Sequence, residues 1–154
     1  MTSARPARDD LASPTTDAMV QLSFSVHTIL TAAAADRELS LIQLRMIGVL
    51  RDRQPTMQEL AQHLGLTKSS LSGLVGRAEA RGLVRRTADA ADGRTVRVAL
   101  TRRGHSAAAQ VTAAVNGQVD QLLADLSANQ RDQLTRLAWQ ILRSVDRAAE
   151  PRTG

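Results

Sequence analysis

Hydrophobic positions along the chain fall into blocks of helical period, broken once by a block of strand period. From Asp17 to about Arg37, Val20, Phe24, Val26, Ile29 and Leu30 are apolar and predict a helix. Ser40-Leu-Ile-Gln43 has the spacing of a capping box, in which a serine hydroxyl and a glutamine amide satisfy backbone N–H groups reciprocally. It opens a helix to about Arg51 carrying Leu41, Leu44, Ile47 and Leu50. Pro55 breaks the chain. Thr56-Met-Gln-Glu59 is a second box, opening a short helix with Leu60, Ala61 and Leu64 inward and Gly65 at its end. Thr67 caps the next helix, whose stripe is Leu71, Leu74, Val75 and Ala78, and Gly82 closes it.

The period then changes to two. Leu83–Thr87 and Arg94–Leu100 alternate as strands do, around a turn-rich loop from Ala88 to Gly93, which predicts a β-hairpin. Helical spacing returns from Thr101 to about Leu126, roughly 25 residues or about 37 Å long, with Val111, Val115, Val119, Leu122 and Leu126 apolar. Ser127-Ala-Asn-Gln130 is a third capping box. The last helix carries Leu134, Leu137, Ala138, Ile141, Leu142 and Val145, with Trp139 off the stripe and marking a second face to be buried. The fold class is therefore mainly α with a small β-hairpin. Residues 1–15 and 149–154 read as flexible tails.

Charge sharpens the picture. The net charge is +5, and it is unevenly spread. Residues 66–105 hold nine basic and three acidic side chains, a net of +6, while the rest of the chain sums to −1. A polyanion met by one face is the simplest partner. One Phe, one Trp and no Tyr leave no aromatic platform for stacking single-stranded bases. With no cysteine, disulfides, thiolate metal sites and thiol redox sensing are excluded. His27, His63 and His105 have no metal-ligand spacing, so neither metal nor cofactor is expected. No Gly-x-Ser-x-Gly, Walker or Gly-x-Gly-x-x-Gly motif supports catalysis. No apolar run approaches the roughly 18 residues of a membrane span, Ile29–Ala35 being nearest. A soluble cytoplasmic protein without a membrane partner is the expectation.

The two short helices joined by Leu64-Gly65-Leu66-Thr67 form a helix-turn-helix, and the hairpin is its wing. The second helix turns Ser69, Ser72, Gly73, Gly76 and Arg77 away from the core, with Lys68 and Ser70 at its start, which suits entry into the DNA major groove. Arg94 beside the wing tip is placed to enter a narrow minor groove. Arg85, Arg86, Arg97 and Arg102 are candidate phosphate contacts. Arg77 has two open roles: contacting DNA, or holding the wing through Asp89 or Asp92.

Three stretches resemble the winged helix-turn-helix of the multiple-antibiotic-resistance regulator (MarR) family. They are Glu59-Leu-Ala-Gln-His63-Leu64-Gly65-Leu66, Leu74-Val-Gly-Arg77-Ala78-Glu79-Ala-Arg81-Gly82-Leu83-Val84-Arg85-Arg86, and Asp92-Gly-Arg94-Thr-Val96-Arg97-Val98-Ala-Leu100-Thr101. The order of the flanking helices fits too, over about residues 17–148. The sequence departs from the family pattern at Gly73, often larger there, and at Ala78, usually leucine. The resemblance implies a winged domain over 39–101 and a helical dimerisation region over 16–38 and 102–148. It also implies a homodimer on a pseudo-palindromic double-stranded operator, usually as a repressor. A small aromatic or anionic effector is implied, in a pocket that Phe24, His27, Met46 and Val111 would line by position. Two other readings remain: a non-specific architectural DNA binder and a dimeric protein-interaction module.

Overall fold

The computed structural model describes residues 13–149, as six helices and a two-stranded antiparallel sheet. Their order is α1 (Pro14–Ala35), α2 (Leu41–Leu50), α3 (Met57–Leu64), α4 (Lys68–Ala80), β1 (Val84–Ala88), β2 (Val96–Leu100), α5 (Arg102–Leu122) and α6 (Ala128–Ala149). The mainly helical class and the winged helix-turn-helix order expected from the sequence are what is found. The expected tails at 1–12 and 150–154, and the side chain of Val145, lie outside the described residues.

Chain contacts divide the molecule into two units, residues 1–116 and 117–154. In the first, the core gathers Met46, Ile47 and Leu50 of α2, Leu60 and Leu64 of α3, and Leu71, Leu74, Val75 and Ala78 of α4. Ala33 and Ala34 at the end of α1, Val84 and Val98 of the hairpin, and Ala108 and Val111 of α5 join them. Helices α1 to α4 each start where a side-chain oxygen satisfies a backbone N–H that the first turn leaves without a partner. Ser40 with Gln43 and Thr56 with Glu59 form complete capping boxes. Gly65 at φ +66° and Gly82 at φ +67° supply the left-handed residues that end α3 and α4.

Several boundaries differ from the periodicity. Helix α1 begins at Pro14, because Ser13 accepts from the Thr16 N–H and Pro14 needs no partner for its nitrogen. Pro14 and Thr15 therefore belong to the helix rather than to a flexible tail. At 22 residues, with mean hydropathy 1.4 in its most apolar window, α1 is long and apolar enough to cross a membrane. That corrects the expectation drawn from unbroken apolar runs. Its Val20 and Phe24 are exposed, and only Ala33 and Ala34 are buried.

The hairpin pairs Val84 with Leu100, Arg86 with Val98 and Ala88 with Val96. Alternation fails in β2, where Val98, Ala99 and Leu100 are all buried. A third piece of extended chain runs beside β2: the Val98 N–H donates to the Pro55 carbonyl at 2.9 Å, and Thr56 bridges to Arg97. Pro55 is thus a sheet neighbour as well as a helix breaker. Thr101 then ties α5 to the hairpin. Its N–H donates to Leu83 O at 3.0 Å, and its hydroxyl accepts from the Gly104 N–H at 3.0 Å.

In the second unit, α5 ends at Leu122, four residues before the last apolar position of its period. The Arg131 guanidinium donates to Leu123 O at 2.8 Å and to Leu126 O at 3.3 Å, closing the chain into a turn. The third capping box, Ser127 with Gln130, starts α6. In this single chain the apolar stripe of α6 is open, as is Trp139 beside it: Leu137, Trp139, Ile141 and Leu142 are each about half exposed.

Candidate nucleic-acid interface

Helix α4 buries Leu71, Leu74, Val75 and Ala78 and leaves Lys68, Ser69, Ser70, Ser72, Gly73 and Arg77 exposed. Thr67 organises its first turn, accepting from the Ser70 N–H at 3.2 Å while its hydroxyl donates to Ser70 Oγ at 2.9 Å. Ser69 Oγ lies 3.2 Å from the same hydroxyl. Ser69 and Ser70 are thereby held by the cap, whereas the Ser72 side chain has no protein partner among the described residues.

The wing loop is built on two carboxylates. Asp89 Oδ1 accepts from the N–H groups of Ala91 at 2.7 Å and Asp92 at 3.2 Å, and its other oxygen is ion-paired with Arg97. The backbone N–H of Ala91, then Arg97 and the Asp92 N–H, hold the Asp89 carboxyl below its ordinary value. Asp92 accepts from the Arg94 N–H at 3.0 Å and the Thr95 hydroxyl at 2.9 Å. Arg97 also donates to Gln54 O at 2.8 Å and stands 4.0 Å from Glu59. The wing is braced by Arg97, and neither aspartate is paired with Arg77.

These pairs sort the basic residues of segment 66–105. Arg81 donates to the carbonyls of Glu38 at 2.7 Å and Arg37 at 3.2 Å. Arg86 is ion-paired with Glu79, and Arg97 with Asp89. Two of the four arginines read as phosphate contacts are therefore committed to carboxylates, for which their charge is already needed. Lys68, Arg77, Arg85, Arg94, Arg102 and Arg103 have no ion-pair or side-chain hydrogen-bond partner among the described residues. An exposed group of unpaired cations, on a helix with small polar neighbours and on a hairpin tip, is suited to phosphates and base edges.

The residues read as a ligand pocket sit apart in character. Met46 is fully buried and Val111 nearly so, both in the core, while Phe24 and His27 are exposed on α1. A more open groove of about 640 Å3 lies between α3, the turn and the wing, lined by Met57, Ala61, Leu66, Lys68 and Val96 among others. Periodicity gave no sign of it, because its walls come from three separate segments. His63 is a surface residue, its Nδ1 2.7 Å from Glu59 O and its Nε2 3.1 Å from Arg53.

Two short helices at a tight turn, with a hairpin behind them, define a winged helix-turn-helix protein. Residues 38–95 match the family model described as MarR family. Among solved structures, the chain is similar to apo MarR from E. coli, at 21% identity over 85% of this chain and 98% of that one, TM-score 0.71. It is similar to NadR in complex with 4-hydroxyphenylacetate, at 21% identity over 92% and 97%, TM-score 0.69. It is also similar to a mutant of S. aureus MepR bound to an oligodeoxyribonucleotide, at 20% identity over 87% and 99%, TM-score 0.61. A comparison with curated proteins found no match. The six helices and two-stranded wing follow the fold of the MarR regulators.

Proposed function

We propose that this protein is a non-enzymatic transcription regulator that binds a pseudo-palindromic double-stranded DNA operator as a homodimer, in the manner of a repressor. The observation that carries the reading is the set of unpaired cations on α4 and the wing: Lys68 and Arg77 on the helix, Arg94 at the tip, Arg85 and Arg102 flanking. The start of α4, with Lys68, Ser69, Ser70 and Ser72, takes the major groove and Arg94 the minor groove. Arg86 and Arg97 shape the surface through their carboxylate partners. That a MepR mutant is bound to an oligodeoxyribonucleotide supports the DNA partner.

The open apolar face of α6 supports a second copy as the other partner, since half-exposed Trp139, Ile141 and Leu142 need cover. The exposed Val20 and Phe24 of α1 are read the same way. The buried Ala33 and Ala34 tie α1 into the winged unit, so it is taken as a packing helix rather than a membrane span. On this reading the protein works in the cytoplasm, on the nucleoid when DNA-bound. A small aromatic or anionic effector, as in NadR with 4-hydroxyphenylacetate, would relieve binding by changing the spacing of the two winged domains. Phe24, His27, Met46 and Val111 remain its proposed lining, with Met46 and Val111 reached only if the core opens.

Hydroxyl-radical footprinting on the DNA upstream of the protein's own gene tests the reading. Two protected windows one helical turn, about 34 Å, apart are expected from a dimer reading two half-sites. Uniform protection would favour an architectural binder, and no protection would favour a protein-interaction module.

A further inference from the structure

Glycine inside a helix costs stability, and α4 carries two away from the core. A side chain at Gly76 would meet nothing within 4 Å, but a Cβ at position 73 would come within 3.3 Å of Arg77 Nη1. Residues four apart lie one above the other on a helix, and long side chains lean toward its N-terminus. The Arg77 guanidinium accordingly lies back along α4 over Gly73, toward the end that carries Lys68, Ser69 and Ser72.

No carboxylate among the described residues claims that guanidinium. Glu79 is paired with Arg86 and Asp89 with Arg97, while Asp92 serves Arg94 N–H and Thr95. Arg77 is exposed and has no partner among the described residues. The rest of the exposed face toward the start of α4 offers hydroxyls, glycine and the single point charge of Lys68. A planar fork of donors that matches O6 and N7 of guanine is present on this face only in Arg77.

We propose that Arg77 is the specificity-determining residue of α4, reading a guanine in each half-site, and that Gly73 is the berth its guanidinium occupies. This rests on the DNA-binding reading above. It replaces the bracing role for Arg77 with direct readout, and it gives Gly73 a purpose that a backbone without strain does not.

Fluorescence anisotropy would test it, using duplexes in which each base pair of one half-site is changed in turn, at several salt concentrations. Native protein should lose about 10- to 100-fold in affinity when one particular G·C pair is replaced. Arg77→Lys should lose that preference yet keep the salt dependence, because the charge remains and the fork does not. Arg77→Ala should lose the preference with the salt slope little changed, because the slope counts phosphates neutralised and Arg77 reads a base. Gly73→Leu, a good helix former on an exposed face, should lose the preference at the same base pair with the native salt slope. Circular dichroism of each variant confirms that the helix persists. Arg77→Ala weakening every duplex by one common factor would make Arg77 a phosphate contact and overturn the proposal. So would a Gly73→Leu protein with native preference. Native protein that binds no duplex would instead overturn the DNA reading itself.

Discussion

Arg97 in β2 closes on the carboxylate of Asp89, eight residues back across the wing loop, while its other arm donates to Gln54 O at 2.8 Å. One guanidinium therefore fixes the loop to both the sheet and the chain that enters α3. Arg94, at the tip of the same loop, bonds through its backbone alone. Their loss should look different. Arg94→Ala removes a free cation, so affinity falls and the slope of log affinity against log salt drops by about 0.9. Arg97→Ala should weaken binding with the salt slope nearly unchanged, because it disorders the wing without removing an unpaired charge. Parallel anisotropy titrations of the two variants across salt measure the contrast.

The same pair sets an acid limit. Asp89 sits below its ordinary 3.8, chiefly through the Ala91 N–H, and Glu59 below its ordinary 4.5, chiefly through the Thr56 N–H. A carboxylate whose folded value is depressed stabilises fully above its unfolded value and loses that contribution as pH falls through the folded one. The wing should therefore be insensitive to these groups from about pH 8 to about pH 5. The gap in melting temperature between native protein and Asp89→Asn should stay constant there and close only below about pH 3.8. A gap that closes near neutrality would show that Asp89 is not held as described.

Among the described glycines, Gly104 has the closest neighbours. A Cβ there would lie 2.0 Å from Leu83 O and 3.1 Å from Leu100 Cδ2, backbone and core that have nowhere to move. Gly104→Ala should cost about 1–3 kcal/mol, as overpacking does. Gly48, in the last turn of α2 with nothing within 4 Å of its would-be Cβ, is the control. Gly48→Ala should gain about 0.5–1 kcal/mol from helix propensity. Urea denaturation of both variants reads the two signs.

Trp139 is the single tryptophan, and with 58% of its surface exposed it reports on whatever covers α6. Ile141→Glu should convert a dimer to a monomer in sedimentation and shift Trp139 emission to the red. Because two half-sites are then no longer bound together, affinity for the full operator should fall by at least about 100-fold. A native protein that sediments as a monomer would remove the dimer from the account.

Local chemistry makes most of the fold legible in the sequence. Ser40, Thr56 and Ser127 open helices where their capping boxes stand, and Gly65 and Gly82 end α3 and α4, because each device acts within four residues. What stays hidden is non-local. The end of α5 depends on Arg131 reaching back to Leu123 O and Leu126 O from the next helix. The third stretch of chain beside β2 depends on Pro55, more than forty residues before Val98. Charge counting finds the basic surface but not its division. Arg86 and Arg97 look like Arg85 and Arg94 in sequence, and only folding brings Glu79 and Asp89 to them. The relation of Arg77 to Gly73 follows from helical spacing. The choice between the two roles of Arg77 does not, because it turns on the other partners that Asp89 and Asp92 take in the folded wing.

The central claim is sequence-specific DNA binding by the cations of α4 and the wing. Fluorescence anisotropy with the DNA upstream of the gene and with a scrambled duplex, at matched salt, tests it most directly. Affinity for the upstream DNA should exceed that for the scrambled duplex by at least about 1000-fold, and both should weaken steeply as salt rises. Equal affinity for the two duplexes, or binding indifferent to salt, would contradict it.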